Sequence, residues 1–500
     1  MATLEAARKQ IAPVSFDDAP QLRVLTCGSV DDGKSTLLGR LLFDTHAVLE
    51  DQLQALDSES RRWGTQGAGR DYALLLDGLS AEREQGITID VAYRYFSTRR
   101  RSFIMADTPG HEQYTRNMAT GASQADLAII LIDARRGVLP QTRRHAFIAA
   151  TLGIRHAVLA INKMDLAGFS EARFDEIVAQ FASAAQALGL RSVVAVPLCA
   201  RDGDNVATRS DRMGWYAGPT LLEHLETVEI ASDAEDISGF RLPVQLVARP
   251  DAEFRGYAGT IAGGVVRPGD EIVALPSAKR ARIARIVTAD GDRPEAGEGD
   301  AVTLTLDREI DIARGDVLVA AASAPEPVAK LTATLLWMAD ESLLIGRDYA
   351  LHLGPATASA RIESIHHAVD VETYAPRPAT WLALNELGSV TIALDRKLVA
   401  APYRDVRALG AFILVDRVTR QTVALGVVDA LPLAATAPTA TSVRPTQILR
   451  PARWALPLAA GAAMAALAGL LTHDPATTAT LGLANVLVFA VARRIENLLA

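Results

Sequence analysis

The chain has 500 residues, 22% of them charged, and 51 Lys and Arg stand against 59 Asp and Glu for a formal net charge of -8. That length exceeds one compact core and points to about two to four domains, while ordinary glycine, proline and charge contents exclude a largely disordered chain. The acidic balance, with no basic tail, speaks against a general nucleic-acid binder, and having only two cysteines, Cys27 and Cys199, excludes a disulfide scaffold.

The amino-terminal stretch MATLEAARKQ lacks the apolar run of a secretory signal, so the expected location is the cytoplasm. Residues 22–27 (LRVLTC) form a short apolar strand that runs straight into Gly28, and alternating strand and helix patterns follow to about residue 230. The runs IMADTPG at 104–110, LAIILIDA at 127–134, HAVLAINKMD at 156–165 and VVAVPL at 193–198 are buried-type strands that end in polar loops. Apolar strands separated by helices imply a parallel sheet covered on both faces, with ligands at the carboxyl ends of the strands. The texture changes near residue 236: short β-branched runs such as ARIARIVTA, AVTLTL and GDVLVA alternate with glycine-rich turns. Such a pattern suggests a small antiparallel barrel. APEPVAK at 324–330 reads as a linker, and a second set of similar strands runs on to AFILVD at 411–416 and TVALGVV at 422–428.

The segment Gly28-Ser29-Val30-Asp31-Asp32-Gly33-Lys34-Ser35, with Thr36 opening the next helix, fits the phosphate-loop spacing between a strand and a helix. Its backbone amides and the helix amino terminus suit phosphates; Lys34 is placed to reach the β and γ phosphates and Ser35 to hold Mg²⁺. Asp31 and Asp32 are awkward beside phosphates and are expected to turn away and serve the loop. Asp107 of Asp107-Thr108-Pro109-Gly110 ends a strand and can hold Mg²⁺ through water, while the Gly110 N–H can sense the γ-phosphate. Asn162-Lys163-Met164-Asp165 ends another strand, and Asp165 is placed to accept both guanine N–H donors, a pairing that adenine lacks. These three elements in this order indicate an α/β P-loop GTPase domain whose cofactors are GTP and Mg²⁺. His111 is the candidate for orienting the attacking water, the alternative being a histidine that caps the local turn. Thr88 is the candidate switch threonine, with its hydroxyl free and its backbone carbonyl on Mg²⁺. Cys199 and Ala200 fall where Ser-Ala usually meets the base; the alternative for Cys199 is a buried small residue without base contact.

The DDGKST loop, the insertion at 45–77, LLLDGLSAEREQGITIDVAYRYF at 74–96, DTPGHEQYTRNMATGAS at 107–123, NKMDL at 162–166 and GDNV at 203–206 together resemble the large subunit of bacterial sulfate adenylyltransferase. The resemblance covers about residues 18–432 and departs at PYRDVRALG (402–410), where Val406 and Leu409 stand in place of the usual Asn and Thr. It implies a GTPase domain at 18–232 followed by two small antiparallel β-barrels at 236–323 and 328–432. It also implies a separate small subunit that converts ATP and sulfate to adenosine 5'-phosphosulfate and diphosphate, with GTP hydrolysis coupled to that unfavourable reaction. No ATP-binding or sulfate-binding residue is assigned to this chain, and no nucleic acid is expected as a partner. An elongation-factor-like translational GTPase is the rival; the 45–77 insertion and the switch wording weigh against it.

Residues 430–453 read as a tether, and two uncharged apolar runs follow at 454–472 and 476–492. Both reach the ~17-residue lower limit for a spanning helix. Arg444, Arg450 and Arg453 flank one side and Arg493 and Arg494 the other, which suits a hairpin with both ends cytoplasmic. The expectation is an apolar helical hairpin over 454–492 that touches the inner membrane or docks on a partner. No second phosphate loop follows, so a fused adenylylsulfate kinase is not expected.

Overall fold

The structure, a computed structural model, describes residues 20–63, 70–76, 88–230, 239–251 and 254–431. The expected hairpin at 454–492 lies outside the described residues, and among the described residues no helix is long and apolar enough to cross a membrane.

In the first domain, strands β1 (Gln21–Gly28), β2 (Ala92–Ser97), β3 (Ser102–Asp107), β4 (Leu127–Asp133), β5 (His156–Asn162) and β6 (Ser192–Pro197) form one sheet in the order β2-β3-β1-β4-β5-β6. All neighbours are parallel except β2 and β3. Every residue of β4 is buried, as a strand covered on both faces requires. Alternate side chains feed opposite layers. Leu25, Cys27, Ile130, Ile132, Leu159 and Ile161 enter one core, while Leu22, Val24, Ile129, Leu131, Val158 and Ala160 enter the other. The covering helices are α1 (Lys34–Asp44), α2 (Glu50–Trp63), α3 (Thr115–Ala122), α4 (Pro140–Thr151), α5 (Glu171–Ala187) and α6 (Leu221–Thr227). Local chemistry sets their starts: Pro140 opens α4, Ser170 caps α5, and Thr220 with Glu223 forms a capping box on α6. Register pairs Thr26 with Asp107, Gly28 with Leu131 and Asp133 with Asn162, so the four central strands end at one edge.

The second domain comprises β7 (Arg241–Pro243), β8 (Leu246–Ala248), β9 (Gly256–Thr260), β10 (Glu271–Leu275), β11 (Lys279–Thr288), β12 (Gly291–Arg293), β13 (Ala301–Leu306) and β14 (Val317–Ala320). They run β7-β14-β10-β11-β13-β9-β8, and a bridge between Arg241 and Gly263 returns β7 to the segment after β9. The third domain comprises β15 (Val328–Trp337), β16 (Asp348–Leu353), β17 (Ala356–Val369), β18 (Pro376–Arg377), β19 (Leu387–Leu398), the short helix α7 (Arg407–Gly410), β20 (Ala411–Asp416) and β21 (Thr422–Ala430). Its order is β16-β20-β21-β15-β19-β17-β18, and pairing of β16 with β17 closes a six-stranded antiparallel barrel. The departure at 402–410 has a packing reason: Val406 and Leu409 are buried against Val273, Leu275, Val317 and Val319, an apolar seam between the second and third domains. The third domain also grips the first. Tyr403 Oη donates to Leu152 O at 3.0 Å, Arg407 to Gly153 O at 2.8 Å, and Asn385 Nδ2 to Glu112 O at 2.9 Å.

Candidate nucleotide site

The phosphate loop joins β1 to α1 through left-handed backbone at Asp31 (φ 66°) and Gly33 (φ 94°). A side chain at Gly33 would also collide with Asn162, whose Nδ2 lies 2.5 Å from an ideal Cβ position. Three of the loop's amides are held by protein: Gly28 N–H donates to His145 Nδ1 at 3.2 Å, Ser29 N–H to Asp32 Oδ2 at 2.6 Å and Asp32 N–H to Ser29 O at 3.4 Å. The amides of Val30, Asp31, Gly33, Lys34 and Ser35 have no protein acceptor among the described residues. They open the α1 helix, where amide dipoles suit an anion. Asp32, 1% exposed, serves the loop, and burial raises its carboxyl above the ordinary value. The Asp31 carbonyl receives Lys163 Nζ, and the Val30 carbonyl receives Arg136 at 3.2 Å. Thr36 lies in the first turn of α1.

Lys34 is 6% exposed and curls back, Nζ donating to Ser29 O at 2.8 Å and to Gly28 O at 3.3 Å. Burial lowers its ammonium pKa, and Asp32 and Asp107 counter that. Ser35 Oγ donates to Asp107 Oδ2 at 3.2 Å, and Thr26 Oγ1 holds the other carboxylate oxygen at 3.0 Å. The Thr88 hydroxyl was expected to be free but lies 3.2 Å from Ser35 Oγ, because the segment before β2 folds over the start of α1. Two hydroxyls and a buried carboxylate are hard oxygen donors, the chemistry a small divalent cation takes. Gly110 packs so tightly that a Cβ there would stand 2.4 Å from Lys34 Nζ and 2.8 Å from the Ser29 carbonyl carbon. His111 begins a short 3₁₀ turn (Glu112–Tyr114), and its Nδ1 accepts Gln113 N–H at 3.3 Å. Of the two sequence alternatives, the turn cap is the contact present.

At the base corner, Asn162 ties loops together: Nδ2 donates to Asp32 O at 2.8 Å and Oδ1 accepts Ala200 N–H at 2.9 Å. Both Asn162 and the Ala200 amide, expected at the nucleotide, therefore bond to protein, since the 162 side chain lies between the two loops. Asp165 meets Cys199 Sγ at 3.2 Å through one carboxylate oxygen and Arg201 at 3.2 Å through the other. Burial, with Asp165 beside it, pushes the Cys199 thiol up to about 12, so it stays protonated and donates. Cys199 is 1% exposed, the buried small residue of the alternative reading, yet it touches the Asp165 carboxylate. Lys163 reaches Asp133 Oδ2 at 3.2 Å. Burial works to raise the Asp133 carboxyl, but hydrogen bonds from Arg135 and the Lys163 charge outweigh it and bring it to about 2.

Sequence reasoning missed Thr26, Asp133, Arg136, His145 and Arg201. Asp133 carried a signal, as the sole carboxylate ending the apolar run LAIILID; the others act through partners far away in the chain.

Residues 19–232 match the model of the elongation factor Tu GTP-binding domain, and residues 330–429 match the GTP-eEF1A C-terminal domain-like model. Sulfate adenylyltransferase subunit 1 of Laribacter hongkongensis is 53% identical over 81% of this chain and 85% of its own length. The chain belongs to the sulfate adenylyltransferase subunit 1 family. Two bifunctional members are similarly close: the CysN/CysC enzyme of Xylella fastidiosa at 55% identity over 82% of this chain, and NodQ of a Rhizobium species at 53% over 81%. This chain spans 66% and 63% of those two longer proteins.

Proposed function

We infer that this chain is the GTP-hydrolysing subunit of a sulfate adenylyltransferase. It couples GTP hydrolysis to the formation of adenosine 5'-phosphosulfate and diphosphate from ATP and sulfate, and adenylyl transfer itself takes place on a small catalytic subunit. The observation that carries the reading is that three strand-end loops meet in a member of this family, Ser35 Oγ bonding Asp107 and Asn162 bonding Asp32 O.

Lys34 and the unpartnered loop amides bind the β and γ phosphates. Ser35, Asp107 and the Thr88 carbonyl would hold Mg²⁺, which when bound neutralises phosphate charge. The Gly110 amide senses the γ-phosphate, and His111 orients the attacking water once its ring leaves Gln113 N–H. Asp165 reads guanine with two acceptor oxygens, and Cys199 and Arg201 keep that carboxylate oriented. The segments at Thr88 and Gly110 take different arrangements with GTP and GDP, and the partner reads the difference. The adjoining Glu112 carbonyl, held by Asn385, gives the third domain a handle on that segment.

The test mixes the full chain with the small subunit and follows adenosine 5'-phosphosulfate formation with and without GTP. GTP should raise the yield, and Lys34→Ala should remove the gain through a loss of roughly hundredfold in GTP affinity, as expected for a charge-assisted phosphate contact. GTP hydrolysis with no change in product would overturn the coupling.

A further inference from the structure

Helix α4 carries a group that the hydrolysis scheme above does not use. His145 is 0% exposed, and its Nδ1 accepts the Gly28 amide that opens the phosphate loop, at 3.2 Å. One turn earlier, Thr142 Oγ1 lies 3.4 Å from Ser29 Oγ. Positions three apart share a helix face, so one face of α4 meets two consecutive residues of the loop.

Other positions of α4 meet the third domain. The Arg143 carbonyl accepts the Tyr374 hydroxyl at 3.2 Å, and the Phe147 ring stacks on Tyr374 with centroids 5.6 Å apart. The carbonyls just beyond the helix, Leu152 O and Gly153 O, accept Tyr403 and Arg407. Alongside, His145 Nε2 lies 2.9 Å from Gln141 Nε2. Gln141 meets Arg144 at 2.7 Å, and Arg144 pairs with Glu112 at 2.7 Å. The Glu112 carbonyl is the one that Asn385 holds.

We propose that His145 is a positioning residue for the nucleotide phosphates: it fixes the plane of the peptide that opens the phosphate loop, and through α4 it links that plane to the seat of the third domain. Only an acceptor can do this, because the group facing it is an amide N–H. Burial, with Lys34 and Arg144 nearby, holds the imidazole down at about 3, so it is neutral and accepting at physiological pH. A buried amide without its acceptor would turn toward another one. The nearest change available is rotation of the Cys27–Gly28 peptide, which would tilt the loop whose later amides face the phosphates. The inference rests on the reading of this loop as a GTP site.

The test measures GTP and GDP affinity and turnover on the full chain. Asn places Oδ1 where His has Nδ1, while Phe keeps the ring and removes the acceptor. His145→Phe should weaken both nucleotides about tenfold, the order expected for one lost acceptor at a buried donor. The loss should fall on affinity rather than on turnover, and His145→Asn should recover it to within about threefold. Tyr403→Phe, which removes a third-domain contact with the end of α4, should weaken GTP by about threefold in the wild-type background and add nothing to His145→Phe. Equal losses for Phe and Asn would make His145 a packing residue and overturn the proposal, as would wild-type affinity in the Phe variant. Should His145→Phe fail to fold, hydrogen exchange at the Gly28 amide of the wild type decides: slow exchange supports the bond and fast exchange refutes it. If the wild type binds no GTP, the site reading falls as well, which separates that failure from a failure of His145 alone.

Discussion

The two ends of the candidate nucleotide site are built differently. At the phosphate end the working groups are buried and their orientation is imposed by the protein: Lys34 is 6% exposed, Asp107 1% and His145 0%. At the base end the contacts are between charges nearer water. Arg201, 48% exposed at its side chain, pairs with Asp165, 13% exposed. On the proposed reading, phosphate affinity would rest on backbone dipoles that cannot reorient, in surroundings where water screens little. Guanine choice would rest on one carboxylate whose neighbours are screened and adjustable. Strength of binding and specificity would then reside in separate parts of the candidate site, and each could be altered alone.

The sharpest way to break the comparison is Asp165→Asn. Replacing an acceptor pair by one acceptor and one donor should cut GTP affinity about hundredfold, because a buried polar group left opposite the wrong partner costs ~1–3 kcal/mol. ATP binding should stay as weak as before; a parallel loss of affinity for inorganic triphosphate, measured by calorimetry, would show that the two ends are not separable. Gly110→Ala comes next. Its Cβ would fall 2.4 Å from Lys34 Nζ and 2.8 Å from backbone at Ser29, so the segment that carries His111 must shift. Single-turnover hydrolysis should fall roughly tenfold or more while GDP affinity changes little, since misplacement matters most in the transition state.

A smaller effect, on stability, follows from the buried end. His145 is held at about 3 in the fold against an ordinary value of 6.5. The unfolded chain therefore binds the extra proton between those values, and stability falls as pH drops below about 6.5 toward 3. The slope contributed is at most ~1.4 kcal/mol per pH unit for one proton. Urea midpoints between pH 5 and 6.5 should show this slope in the wild type, and His145→Asn should flatten it. Cys199→Ser should do least. A hydroxyl can replace the thiol as donor to Asp165, so guanine nucleotide affinity should stay within about threefold of wild type; a larger loss would mean that thiol packing, and not the hydrogen bond, holds Asp165.

Some of the site and fold was legible without coordinates. Gly28, Gly33, Lys34, Ser35, Asp107, Gly110 and Asp165 were legible as candidates because phosphate and guanine chemistry require fixed spacings after strand ends, and the strands do end at them. The parallel sheet and the strand-rich texture of the later domains were readable from periodicity. Asn162 and the Ala200 amide, read as nucleotide contacts, bond to each other and to Asp32, a tie between loops that the linear pattern does not show. The Thr88 hydroxyl and the His111 ring likewise took protein partners that neighbouring sequence does not reveal.

The sequence by itself determined the GTP-binding domain and the family, because these depend on residue type, spacing and period along the chain. Tertiary structure alone decided how the phosphate loop is held and what it is joined to. His145 reaches Gly28 across 117 residues, Tyr403 reaches Leu152 across 251, and Asn385 reaches Glu112 across 273. No local rule links such pairs. They meet because α4 packs between the sheet and the third domain, and because each of these polar atoms takes a partner where the packing places one.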